Sequence, residues 1–579
     1  MPIFGWKPVE EIDDAEDSEF ETLQCPFSVA ALDAWLEGNV SARLVQHLAL
    51  MVVLHPTHPE IAELASVGGA GSNKNTSRDL SRLVDRLMAN PLPAPTKVAC
   101  PIIDAKTQKQ FNGFLDVFEP DSLLEGLSAY EDFDEIMGLD CVSDFWKAVR
   151  PDDPRLIYLQ LEAGLTSEDL QKTIPLFVHG DKVEVSNDDS VMVWHFGSIL
   201  TSVGGSLYTG MLLGIAPAKI EVKTSSAGLG TWDSVWERWQ ICFTKLQQGA
   251  ANLSHRFVIW NLEGDHEHFC NNLKNPHWNK KLFCWDCCAS NDDPGQGRRF
   301  PRGRCGSAPR DLMAEHHKRI SDHAAYKIPG VSSHNNCHDA LHNLYAHGVG
   351  NHACGSALHS LCYRHPGRQP VPPQTTLASI FSSAQILWTN RNSPTRMTNL
   401  SLNMFTDIAK PHVGHQSLKS KAAECKHFIP VLSIICRAVA DGSEYDEHRA
   451  CLLEGLAAFG RLMDESPIVP TDSQAEKAIT IMQDVLTHAD WLKQTSLRNG
   501  SDRFHIAYKH HFFQHLAEQF KFMNPRFAWC FKAEDYVGKI AILVHSCSFG
   551  TRSIDLPGKA LAKWRNMLHF KLSQKIHIE

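Results

Sequence analysis

Hydrophobic positions along the chain change their period several times. From Phe27 to Leu54, and again from Thr76 to Met88 with Leu80, Leu83, Val84 and Leu87, apolar residues recur at helical spacing. Gly68-Gly69-Ala70-Gly71-Ser72-Asn73 breaks the two runs, and Pro91-Leu92-Pro93-Ala94-Pro95 reads as a linker. Residues 1–95 are therefore predicted to be a helical N-terminal region with an acidic start. Residues 96–172 read as a mixed approach region, helical over 122–137 and 144–149, with 155–162 either a strand or a short helix. From Ile174 the period becomes that of strands. Leu176, Phe177 and Val178 form a short apolar run, and Val183 and Val185 alternate with charge. Ser186-Asn187-Asp188-Asp189 supplies a turn, and Val191, Val193 and Trp194 open a second strand. A third strand is predicted over 207–215, a helix over 232–247 with its tryptophans mostly on one side, and a further strand over 255–262. From Thr376 to about His515 the pattern is mainly helical.

The fold class that follows is α/β plus large all-α parts. The predicted division is 1–95, 96–172, 173–273 as the first part of the core, 274–375 as a Cys/His-rich basic insertion, 376–505 as a helical insertion, and 506–579 as the C-terminal part of the core with a basic tail. A length of 579 residues fits about two to four domains. With 43% hydrophobic and 21% charged residues the composition is that of a soluble globular protein. No apolar run reaches the roughly 20 residues of a membrane span, and the acidic start lacks the basic and apolar regions of a signal peptide. An intracellular protein without a membrane partner is expected. The 17 cysteines are scattered through a long chain, which favours reduced thiols over a disulfide scaffold.

The net charge of −10 counts against a dedicated nucleic-acid binder. The charge is uneven, however. Lys280, Lys281, Arg298, Arg299, Arg302, Arg304, Arg310 and Lys318 form one basic group, and Lys559, Lys563, Arg565, Lys571 and Lys575 another. Both are compatible with phosphate contacts, although most charge runs are merely solvated faces.

Three features carry chemistry. Asp181 sits where an apolar strand gives way to polar residues, and a second apolar strand ends in Gly264-Asp265. Two strands finishing in Gly-Asp could present paired carboxylates at one sheet edge, an oxygen-rich site for Mg²⁺ or Mn²⁺. The plain alternative is that each Asp caps a following helix, as Asp265 could for a helix starting at His266. Next, Cys284-x-x-Cys287 offers two thiolates on a tight turn, half of a tetrahedral Zn²⁺ site; a buried pair of free cysteines is the alternative. Its remaining ligands are not set by spacing. Cys305, Cys337, His338 and His342 are candidates, and His342 is preferred. Finally, the stretch 335–365 holds His338, His342, His347, His352, His359 and His365 at irregular spacing, which leaves a His-rich metal hydrolase as a weaker option. Glu534 is read as lying in the first turn of a helix, a favourable place for a carboxylate with or without a metal.

In their order these pieces resemble the CACTA-type DDE cut-and-paste transposases and their transposon-derived relatives. The resemblance runs from about Leu156 to Trp564, roughly two-thirds of the chain. It includes Asp339-x-x-His342, Leu418-Lys419-Ser420 ahead of Glu424-x-x-His427, His510-His511-x-x-x-His515, and Trp529-x-x-x-x-Glu534-x-x-x-Gly538-Lys539. It implies a ribonuclease-H-like mixed-sheet core interrupted by a helical insertion. Asp181, Asp265 and Glu534 would be the catalytic carboxylates holding Mg²⁺ or Mn²⁺, and Cys284, Cys287 and His342 would match the family's zinc element. The implied activity is metal-dependent cleavage of DNA phosphodiesters and strand transfer at transposon ends. The implied partners are transposon-end and target DNA, with homo-oligomerisation and a nuclear location in keeping with them. Glu424 competes with Glu534 for the third place, and Glu267 could assist Asp265. The sequence departs from the family pattern in Lys182 after Asp181 and in having no clear N-terminal zinc finger or helix-turn-helix. The alternative is a catalytically inactive, transposon-derived module that binds DNA or protein.

Overall fold

The computed structural model describes residues 25–573 apart from 53–58, 68–75, 88–89, 187–188, 224–227, 250–252, 288, 290–321, 364–370 and 412–413. The acidic start, the glycine break at 68–73, most of the first basic group, Cys305, His365 and Lys575 lie outside the described residues.

Six strands form one mixed sheet: β1 (Thr96–Ile103), β2 (Gln110–Val117), β3 (Thr173–Ser186), β4 (Asp189–Ser198), β5 (Met211–Pro217) and β6 (Arg256–Glu263). Their order is β1-β2-β5-β4-β3-β6. All neighbours are antiparallel except β3 and β6, which run parallel. A parallel pair needs a long crossover, and the Thr231–Gln248 helix lies within it. That helix buries Trp232, Trp236 and Trp239 on the sheet, where they pack around Trp194 of β4 at ring separations of 5.2–6.0 Å. The stripe of aromatics at helical spacing is core, as its period requires.

Two expectations change in detail. The segment predicted as a strand from Leu207 begins as a helical turn, Ser206–Thr209, and extends only from Met211 to Pro217. The ambiguous 155–162 segment is the helix Pro154–Glu162, started by Asp153, whose carboxylate accepts from the Arg155 N–H at 2.9 Å. The β1–β2 hairpin occupies the approach region. β1 alternates in burial along its whole length, but the outer half of β2 is exposed on both faces.

Two apolar cores result. One surrounds the sheet and draws in the N-terminal helices and the C-terminal helices Cys530–Ser548 and Leu556–Ser573. The other is all-helical and takes residues from Ala340 to Phe520, built on Val349–Tyr363, Ala422–Ala438, Glu444–Glu465 and Asp472–Arg498. No described helix is long and apolar enough to cross a membrane.

Candidate metal-binding active site

The parallel pairing of β3 and β6 sets the site. Val178 lies opposite Leu262 and His179 opposite Glu263. Each chain then continues through a glycine to an aspartate, so Asp181 and Asp265 follow at equivalent positions. Both glycines are required by close packing. A Cβ on Gly264 would come within 3.1 Å of the Gly180 carbonyl oxygen, and a Cβ on Gly180 would run into the His268 ring. Asp181 does not end its strand. The pairing with β6 stops at His179, two residues before Asp181, and β3 runs on to Ser186 paired with β4 alone.

Asp265 does cap a helix: one of its oxygens accepts from the His268 N–H at 2.6 Å at the start of His266–Asn272. Asp181 accepts from the Lys182 N–H at 2.7 Å. Capping and metal ligation are compatible, because a carboxylate has two oxygens and about four lone pairs. Burial, then the neighbouring charge of Asp265, pushes the Asp181 carboxyl up to about 7, and Glu534 adds to the effect. Asp265 is also raised, first by burial and then by Glu267 and Asp339. Glu534 is raised by burial and by Asp339 and Asp265. These carboxylates therefore share one field.

Glu534 reaches this field from the Cys530–Ser548 helix, which packs on β3. The helix begins four residues before Glu534, so the residue lies in its second turn and not the first. Tyr536 fixes the helix by stacking on His195 of β4, with ring centres 4.4 Å apart. Glu424 is engaged elsewhere, where its carboxylate accepts from the Lys421 N–H at 3.0 Å and caps Ala422–Ala438.

His342 is placed with the carboxylates and not with the thiols. The chain at Asn336 pairs in parallel with Leu262 on β6, and the Cys337 N–H donates to the Leu262 carbonyl at 2.9 Å. This carries Asp339 beside the end of β6. The buried Asp339 carboxylate accepts from the N–H groups of Leu341, His342 and Cys530 at 2.9, 3.0 and 2.9 Å and holds His342 Nδ1 at 2.5 Å. His342 Nε2 then faces Glu534 at 3.9 Å. Burial opposes charge on this ring, but Asp339 and Asp265 outweigh it and push the imidazole up to about 9. Leu341–Tyr345 winds as one π-helical turn, a local irregularity that often accompanies functional sites. A cleft of about 150 Å³ opens beside these groups, lined by Asp265, Glu267, Trp278, Asp339, His342 and Lys509 among others. Burial lowers the Lys509 amine to about 8 against the pull of Asp339 and Asp265.

The thiols find different partners. Cys284, Cys287, His511 and His515 are all buried, and one ligand atom from each lies within 4.8 Å of the rest. Cys284 Sγ is 3.2 Å from His515 Nε2, Cys287 Sγ 3.5 Å from His511 Nε2, and the two Nε2 atoms are 3.1 Å apart. The histidines sit four apart on the Tyr508–Gln519 helix, so both rings leave one face. Glu518 accepts from His515 Nδ1 at 2.8 Å, the usual way a metal-bound imidazole is oriented. Two sulfurs and two nitrogens converging in a buried place fit a tetrahedral Zn²⁺. Cys337 turns away to the Asn335 carbonyl at 3.6 Å. His338 bonds Asp286 and stacks on Trp285 at 4.9 Å.

His511 and His515 are not among the zinc ligands expected from the sequence, although their i, i+4 spacing is a usable signal. Asp339 likewise joins the site; the sequence marks it only as part of Asp339-x-x-His342 and gives its carboxylate no role of its own. The His-rich stretch does not converge among the described residues: His359 Nε2 bonds the Pro411 carbonyl at 2.6 Å, His352 packs on His505 at 5.7 Å, and only His342 meets Asp339. No known family model matches the chain, and no curated protein matches it.

Proposed function

We propose that this chain is a metal-dependent phosphodiesterase of the DDE transposase type, built on a ribonuclease-H-like core and acting on DNA. The observation that carries the reading is that Asp181 and Asp265 each lie two residues beyond the last pair of β3 with β6, His179 with Glu263, with Glu534 adding to the charge felt by Asp181. The order β5-β4-β3-β6, antiparallel until the last pair, supports the core assignment.

Asp181, Asp265 and Glu534 would hold Mg²⁺ or Mn²⁺, whose chemistry there is to activate water and to offset charge on the phosphodiester oxygens. The donors are oxygens that repel one another without a cation; their ligand atoms do not all lie within 4.8 Å of one another, so the three side chains would have to draw in around the ion. Asp339 fixes the His342 ring through Nδ1 and leaves Nε2 facing Glu534 at 3.9 Å, placed to donate to a phosphate oxygen. Cys284, Cys287, His511 and His515 would hold a structural Zn²⁺ that ties the 284–287 loop to the Tyr508–Gln519 helix.

The test is nicking of supercoiled DNA by the full chain in Mn²⁺. Cleavage by the wild type that is lost in Asp265→Asn supports the reading. A folded wild type that binds DNA without cutting it returns the chain to the class of inactive, transposon-derived binding modules.

A further inference from the structure

A second concave region shares no lining residue with the carboxylate cleft. It lies between the N-terminal helices and Leu556–Ser573, as two adjoining hollows of about 430 and 540 Å³ that share Trp35, Ser77, Ser546 and Lys563. Arg82 and Lys559 line the first and Arg43 the second, and no described carboxylate lines either.

Lys563 is the centre of the region. Its Nζ lies 4.8 Å from the centre of the Trp35 ring and donates to Ser546 Oγ at 2.8 Å. Burial, with a smaller contribution from Lys559, lowers this amine to about 8. The same helix shows how the fold treats a lysine that is fully buried, where Lys563 is only partly so. Lys571 is fully buried and is met by Asp33 at 2.8 Å and Glu37 at 2.7 Å. A buried charge needs such compensation. Among the described residues no carboxylate forms an ion pair with Lys563, and it faces open space flanked by further cations.

Two helices start at the same wall. Ser41 Oγ accepts from the Leu44 N–H at 3.2 Å at the start of Ala42–Val52. Thr76 and Ser77 line the wall at the start of Thr76–Leu87. The first turn of Ala42–Val52 holds no acidic residue and adds to the positive potential, whereas Asp79 offsets that of Thr76–Leu87.

We propose that this cleft binds a phosphate group, supplied either by a polynucleotide backbone or by a free phosphate ester. Lysines, arginines and serine hydroxyls are the groups that hold phosphate oxygens. The Trp35 ring shields one side of the Lys563 amine from water. The site needs no catalytic role and stands whether or not the carboxylate centre cuts DNA.

The experiment uses the full chain with two probes: pyrophosphate, followed by calorimetry, and a fluorescein-labelled 30-base-pair duplex, followed by anisotropy across a salt series. The variants are Lys563→Met, the exposed Arg82→Ala, which leaves packing intact, and Arg552→Ala, an exposed arginine outside the cleft, as the control. Lys563→Met and Arg82→Ala should each weaken the bound probe about tenfold, as the loss of one charge-assisted phosphate contact implies, and Arg552→Ala should not. A loss for pyrophosphate identifies a free ester. A loss for duplex, with the salt slope reduced by about one, identifies a backbone phosphate. The proposal is overturned if the wild type binds neither probe, if folded Arg82→Ala binds as tightly as wild type, or if Arg552→Ala weakens binding equally.

Discussion

The thiol–imidazole cluster yields a prediction that can be worked through in numbers. The perturbation is Cys287→Ser, compared with the wild-type chain stripped of metal and titrated with zinc. Burial raises the Cys284 thiol above its usual range and drives the His511 imidazole well below its own. A metal ligand must be a thiolate or a neutral imidazole. At pH 7.5 the histidines need lose nothing, whereas each thiol must give up its proton, since even a free cysteine titrates near 8.5. Filling the site should therefore take up one zinc per chain and release about two protons. Calorimetry in buffers of different ionisation enthalpy reads that number directly. In Cys287→Ser the count should fall to about one, with zinc held far more weakly. Zinc at a thousand times its dissociation constant should stabilise the wild type by about 4 kcal/mol, seen as a rise in the melting temperature that a chelator reverses. The reasoning is refuted if the wild type takes no zinc, if filling releases no protons, or if Cys287→Ser binds zinc as well as the wild type.

Three further outcomes are expected. Glu534→Gln should abolish Mn²⁺-dependent cleavage, whereas Glu424→Gln should cut normally and melt close to the wild type, because a glutamine oxygen still accepts from the Lys421 N–H; nicking assays on both variants separate the two glutamates. Burial lowers the His323 ring, 1% exposed, to about 3. Because the unfolded ring titrates near 6.5, the unfolded chain binds the extra proton between those values and stability falls as the pH drops. Going from pH 6.5 to 5 should cost about 2 kcal/mol from this group, and urea unfolding of His323→Gln should show a correspondingly smaller loss; an unchanged pH dependence would sink the assignment. Gly138 sits at φ +67°, where an added Cβ would collide with the Leu200 carbonyl, while Gly442 sits at φ +82° in open space. Gly138→Ala should cost about 3 kcal/mol and Gly442→Ala about 1 kcal/mol, read as melting-temperature shifts; equal shifts would show that the clash with Leu200 is relieved elsewhere.

The parts of this site that are legible in the sequence are local. Asp181 and Asp265 each follow a glycine after an apolar strand, but the period alone does not bring them level: the register slips by one residue on β6, from Leu176 opposite Ile259 to Phe177 opposite Asn261, and that slip is not visible in the sequence. Glu534 needs the resemblance, since nothing in its own helix marks it. What stays hidden is long-range pairing. The partners of Cys284 and Cys287 lie more than 220 positions away, across the whole all-helical core. The nearer His342 is the ligand that sequence proximity favours, but Asp339, three residues before it on the same turn, holds its ring against Glu534. The β1–β2 hairpin escapes detection because its outer positions are exposed, with Phe111 and Phe114 at 41% and 58%, so its apolar residues do not report burial.

The most direct test of the central claim is the anomalous scattering of manganese in crystals of the full chain soaked in Mn²⁺. A peak held between the Asp181 and Asp265 carboxylates, weakened or absent in Asp265→Asn, is the result this account requires. Ordered density for both aspartates with no manganese between them at high Mn²⁺ would contradict it.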